Sequence, residues 1–262
     1  MINGYNRIII KLHKYNFLFS ELVKRDFKKK YKRTVLGMMW SMIGPLMQLL
    51  VMSLIFTRFF GRSMTHYTIY LFTGNIVYSY FRESTNTGMS ALMDNAGIIT
   101  KINVPKYMFL LSKNVSALIN FLLTISVFFL FCAIDHIEFS WRFIALLYPV
   151  TCLLIFNIGL GMTLSALFIM FRDVQYLYDI FTMLLMYLSV IFYTLDGYAE
   201  RTRYLFYLNP IYVYIRYFRI IVLENRFPAP SFHALAAIYA ITAAAAGAFM
   251  YCRYNYKFLY YM

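Results

Sequence analysis

The sequence predicts an all-α polytopic membrane protein, and three observations carry that prediction. The stretches 34–57, 114–134, 143–171 and 227–252 contain no Lys, Arg, Asp or Glu, and each reaches the length of about 20 residues that a helix needs to cross a bilayer core. The chain is 61% hydrophobic and only 14% charged, where a soluble domain carries about 25% charged residues. Its net charge of +14 concentrates in the residues before the first uncharged stretch, the pattern that holds a flank in the cytoplasm. No nucleic-acid recognition module accompanies this charge, so a nucleic-acid partner is not expected.

The elements follow in order. Tyr15, Phe19, Leu22, Val23, Phe27 and Tyr31 recur at three- and four-residue spacing, with Lys24, Arg25, Lys28, Lys29 and Lys32 on the other side. This pattern predicts an amphipathic helix over 15–33 lying in the membrane interface against lipid phosphate; a solvated flank that only sets orientation fits the same charges. A first span is expected over 35–60, kinked at Pro45, which removes a backbone donor. A second is expected over 67–81, running past Arg82. The polar stretch 83–113 reads as a cytoplasmic loop. Spans over 114–134, 143–171 and 174–193 follow, the last with Asp179 near its cytoplasmic end.

The apolar run 204–215 is short and is broken by Asn209-Pro210. Length predicts short re-entrant helices here and not another crossing. A final Ala-rich span is expected over 232–251. Six spans leave both basic termini in the cytoplasm, whereas a seventh would place the basic tail outside. The chain is therefore read as one membrane domain over 1–262: interfacial segment 1–34, membrane part 35–253 and cytoplasmic tail 254–262.

Several chemistries find no support. No GxxxxGK[ST] phosphate loop exists, so ATP has no such seat. His13, His66, His136 and His233 are scattered without partners at motif spacing, and Cys132, Cys152 and Cys252 form no ligand pattern. No cleavable signal peptide is evident in the first 33 residues. The spans lack the midplane acids that ion-coupled carriers use, which puts the energy source on another polypeptide.

Arg25-Asp26-Phe27-Lys28, then Tyr31-Lys32-Arg33-Thr34-Val35-Leu36-Gly37 with Trp40 and Pro45, resembles the opening of polysaccharide-export permeases of the type-2 ATP-binding-cassette family. Leu71-Phe72-Thr73-Gly74-Asn75-Ile76, Asn95-Ala96-Gly97-Ile98-Ile99-Thr100-Lys101, Val104-Pro105-Lys106, Phe171-Arg172-Asp173-Val174 and Leu208-Asn209-Pro210 continue the resemblance in order. One departure is the absence of proline from Ser189-Val190-Ile191-Phe192-Tyr193-Thr194, where the family often carries it.

The resemblance implies a permease subunit in the bacterial inner membrane, without enzymatic activity of its own, that pairs with a second copy and recruits two copies of a separate ATPase. ATP and Mg would bind that partner, and this chain would hold no cofactor. The cargo implied is a lipid-linked polysaccharide: lipopolysaccharide O-antigen, capsule or teichoic acid. A drug-type efflux permease and a non-transporting assembly factor are the other readings. The resemblance assigns ATPase coupling to a short helix over 91–104, with Asn95 near its start, Ile98 and Ile99 as apolar anchors, and Lys101 and Pro105 beyond them.

A substrate path is expected along aromatics that stack on sugar rings, namely Trp40, Tyr78, Phe81, Phe192 and Tyr193. Lys29, Lys32 and Arg33 would meet an anionic head group. Arg216 and Arg219, one turn apart, would face an anionic group or lipid phosphate at the outer face.

Overall fold

The computed structural model describes residues 2–32, 34–60, 65–102, 104–254, 256 and 258, and the side chains of these except 2–14, 31, 38 and 57–60. Arg33 and most of the expected tail lie outside the described residues. The fold is all-helical among the described residues, with ten α-helices.

α1 (Ile2–Tyr31) is longer than its amphipathic pattern suggested. A 3-10 turn at Gly37–Met39 leads into α2 (Trp40–Phe60), with Pro45 inside its second turn. α3 (Tyr67–Asp94) and the one-turn α4 (Ala96–Ile99) follow, then α5 (Tyr107–Ile134). Another 3-10 turn, Trp141–Leu146, opens α6 (Leu147–Met170), which precedes α7 (Val174–Leu188). Two short helices, α8 (Glu200–Phe206) and α9 (Pro210–Val222), come before α10 (Pro230–Tyr254). Among the described residues, three helices have the length and apolar character to cross a membrane: Tyr107–Ile134, Trp141–Met170 and Pro230–Tyr254. Trp40–Phe56 and Val174–Leu188 are shorter apolar helices.

Three boundaries differ from expectation. Residues 83–94 of the stretch expected as a polar loop form the second half of α3. Its polar side chains are satisfied within the bundle: Thr85 Oγ1 donates to the Phe81 carbonyl at 2.8 Å, and Ser84 Oγ donates to Asn114 Oδ1 on α5 at 2.5 Å. Hydrogen bonding thus offsets the low hydropathy of this segment. The expected helix over 91–104 shrinks to the single turn of α4, because Ala91 to Asp94 complete α3. α7 stops at Leu188, before the expected 193, because Val190 takes φ 55° and turns the chain.

α3 is the central helix, packing on α2, α5, α6, α7 and α9. α6 and α10 pack so closely that a Cβ on Gly247 would collide with the Gly159 carbonyl, and one on Gly159 with the backbone of Ala243. Small residues allow such an approach between helices in lipid, where dispersion drives association. Asn209 accepts from the Ile211 amide at 2.9 Å and caps α9, with Pro210 in the first turn; the dipeptide that breaks the apolar run is a helix start.

A smaller core joins Leu22 of α1, Ile99, Phe109 and Leu110, Tyr251 of α10 and Phe258. The amino-terminal helix and the end of the chain therefore meet at one face of the bundle.

Candidate functional site

That face carries a polar network that joins α1, α4 and α5. Asp26 of α1 is buried, and its Oδ1 accepts from Arg25 Nη2 at 2.8 Å while its Oδ2 accepts from Ser112 Oγ of α5 at 3.0 Å. Arg25 Nη2 also donates to Asn95 Oδ1 at 2.7 Å, and Asn95 Nδ2 donates to the Ala91 carbonyl at 2.7 Å. Lys113 lies 3.3 Å from Asp94 and 3.9 Å from Asp26. Bonds to ionised groups are the stronger kind, so α1 is held jointly to the start of α4 and to α5.

Asn95 is buried inside this junction and does not face outward. Ile99, expected as a docking anchor, is 6% exposed and packs into the smaller core, with Ile98 half-buried against it. The reason is geometric: a single helical turn has one inward face, and Ile99 occupies it. The outward face presents Gly97, Thr100, Lys101 and Ile102, and Ile102 is the exposed apolar side chain of the segment. Pro105 is half-buried, and its carbonyl accepts from the Met108 amide at 3.1 Å. Lys106 sits 5.4 Å from the Phe258 ring, and burial there pushes its ammonium pKa down.

The residues expected along a substrate path divide. Lys29 and Lys32 are exposed, and Trp40 is 48% exposed. Tyr78, Phe81 and Phe192 are buried among the helices. Tyr78 Oη donates to the Thr182 carbonyl of α7 at 2.6 Å, Phe81 packs against Phe156, and Phe192 stacks on Phe56 of α2 at 4.7 Å. These aromatics join α3 to α6 and α7, and α2 to the turn after α7. Tyr193 is half-buried and donates to the Tyr187 carbonyl at 3.0 Å.

Arg216 pairs with Glu224. Arg219, expected at an outer surface, is 2% exposed. It donates to the carbonyls of Val190 at 2.8 Å, Tyr70 at 3.1 Å and Ile191 at 3.2 Å, and its guanidinium lies 3.4 Å from the Tyr70 ring. It is a structural tie between α9, α3 and the turn after α7. Charge in the sequence signalled exposure, whereas a guanidinium can be buried when backbone carbonyls take its protons.

Two side chains of the interior carry weight that the sequence did not reveal. Glu83, read as a loop acid, lies on α3 and accepts from Lys30 of α1 at 2.6 Å and from Asn120 of α5 at 2.8 Å. Asp26 stands within a motif but shows its burial only in three dimensions.

Residues 18–223 match the ABC-2 type transporter family. The chain belongs to that family. It is 27% identical over 245 residues to the O-antigen export system permease protein RfbA of Myxococcus xanthus, covering 92% of this chain and 94% of that one. Two proteins of the same description from Klebsiella pneumoniae are 30% and 29% identical, each covering 76% of this chain and 79% of their own. As an ABC-2 member the chain is a multi-pass membrane transport subunit, and its family implies an ATPase partner. The polar junction around Asn95 lies inside the matched region, as do α2 to α9.

Proposed function

We propose that this chain is the membrane subunit of an exporter that moves a lipid-linked polysaccharide of the O-antigen type across the bacterial inner membrane. It works as a homodimer with two copies of a separate ATPase, which binds ATP and Mg. The observation that carries the reading is the likeness to O-antigen export permeases over 245 residues, nearly end to end. Capsular polysaccharide and teichoic acid share the same lipid-linked chemistry and are the neighbouring cargoes.

Six spans, α2, α3, α5, α6, α7 and α10, suit this role, with α8 and α9 re-entering from the outer face. An even number of crossings is supported by Leu22 and Phe258 sharing one core, which keeps both ends of the chain on one side. The basic residues of α1 put that side in the cytoplasm. The Arg25–Asp26–Asn95 junction then faces the ATPase, and Lys101 with Ile102 forms the contact surface. A rigid-body shift of α4 reaches α1 and α5 through this junction. Lys29, Lys32 and Arg33 meet the anionic head group, and Trp40 meets sugar.

Deleting the chain should trap lipid-linked glycan inside the cell, and returning it with its ATPase should restore surface glycan. Failure of the pair to restore export would sink the reading. A reporter fused after Met262 should be active in the cytoplasm; activity outside would overturn the six-span arrangement.

A further inference from the structure

Two clefts of about 390 Å³ each flank the Lys30–Glu83 pair, and both residues line both clefts. The first lies against α1 and is lined also by Asp26, Lys29, Lys113, Thr87 and Ser116, so that the ammonium groups of Lys29, Lys30 and Lys113 outweigh the carboxylates of Asp26 and Glu83 at the junction end of the bundle. The second runs deeper between α2, α3 and α5, away from that end. Its walls carry Asn75, Ser79, Asn120 and Thr124 beside the rings of Trp40 and Tyr80. Tyr80 stacks on Phe121 at 4.4 Å. Amides and hydroxyls beside aromatic faces are the groups that bind a polyhydroxylated ring, through hydrogen bonds at its edge and stacking on its C–H face.

We propose that the two clefts form one bipartite site for a phosphate-linked sugar. The cationic cleft takes the phosphate and the deeper cleft takes the first ring. The Lys30–Glu83 pair closes the passage between them until a phosphate oxygen replaces the Glu83 carboxylate on Lys30. Phosphate suits this exchange because it offers several charged acceptors where Glu83 is already shared with Asn120. The proposal rests on the lipid-linked glycan reading above and adds to it the residues that recognise the linkage.

Trp40 and Trp141 are the chain's two tryptophans, so Trp141→Phe leaves Trp40 as a reporter on the wall of the deeper cleft. The full-length protein in nanodiscs would be titrated with a short-chain polyprenyl-diphosphate-linked N-acetylglucosamine, with the same lipid diphosphate lacking sugar, and with inorganic pyrophosphate. The sugar-bearing lipid should change Trp40 emission saturably and bind about fivefold tighter than the sugar-free lipid, the value of one added neutral hydrogen bond. Pyrophosphate should give no saturable change. Glu83→Gln should tighten both lipids about threefold by releasing Lys30, and Lys30→Gln should weaken both. Ser79→Ala with Thr124→Val should erase the preference for sugar. Equal affinity for the two lipids would overturn the sugar cleft without needing any cleft variant. Unchanged affinities in Glu83→Gln and Lys30→Gln would overturn the gate. The Trp141→Phe chain would also be assayed for glycan export: export without a Trp40 response removes this site alone, whereas loss of export in the parent removes the underlying reading as well.

Discussion

Arg25 and Asn95 stand 70 residues apart in sequence, and Arg25 Nη2 donates to Asn95 Oδ1 at 2.7 Å. The same nitrogen holds Asp26, so one guanidinium ties the last turns of α1 to the start of α4. Half-exposed bonds of this kind contribute about 1 kcal/mol. Asn95→Ala should therefore leave the protein folded and inserted while lowering export about fivefold relative to ATP hydrolysis. A reconstituted complex measured for both quantities checks this; hydrolysis and export falling in parallel would mean that Asn95 does not couple them.

Ile99 and Ile102 should separate folding from docking. Ile102 is 55% exposed and Ile99 is 6% exposed. Ile102→Asp should weaken ATPase binding with little change in the stability of the isolated subunit. Ile99→Ala should destabilise the subunit by about 2–4 kcal/mol, because it empties a core position. Co-purification with the ATPase and thermal unfolding in detergent report the two effects.

Arg219 should be intolerant of replacement even by lysine. A single ammonium cannot reach the three carbonyls that the guanidinium bridges, and each hydrogen bond to a charged group contributes about 1.5–3 kcal/mol. Gly74 belongs to the same site, since a Cβ there would come within 2.9 Å of Arg219 Nη2. Arg219→Lys and Gly74→Val should both lower thermal stability and export together, without changing ATPase binding. Export like that of the parent from either variant would show that the tie is dispensable.

Gly159 and Gly247 should tolerate nothing larger than glycine. Each added Cβ meets the backbone of the facing helix, so α6 and α10 would have to separate along their shared face. Gly247→Leu should reduce the amount of folded protein in the membrane, whereas Ala245→Leu, on an exposed position of the same helix, changes a neighbouring side chain as a control for α10 insertion. Normal abundance of Gly247→Leu would refute the close contact.

The helices whose stability comes from hydrocarbon were legible in the sequence, because an uncharged run of about 20 residues has few other uses. α5, α6 and α10 follow this rule. Asn209-Pro210 was legible as a boundary, since a capping side chain followed by proline carries its geometry in the residue types. The second half of α3 was not, because Glu83, Ser84 and Thr85 look like loop residues until Asn120, Asn114 and the α3 carbonyls supply their partners. Asn95 was singled out by its motif, but its burial against Arg25 depends on a contact across the chain. Arg219 was misjudged for the same reason: residue type reports a charge, and only the fold reports the carbonyls around it.

The surroundings of Arg219 also make its burial conditional on the rest of the bundle. A guanidinium shielded from solvent is tolerable only after its acceptors are in place. All three, the carbonyls of Tyr70, Val190 and Ile191, lie on the amino-terminal side of Arg219 and leave the ribosome earlier. The guanidinium is therefore satisfied only where α3 and the turn at Val190 are already side by side. A bundle with these helices mispaired would strand a buried charge.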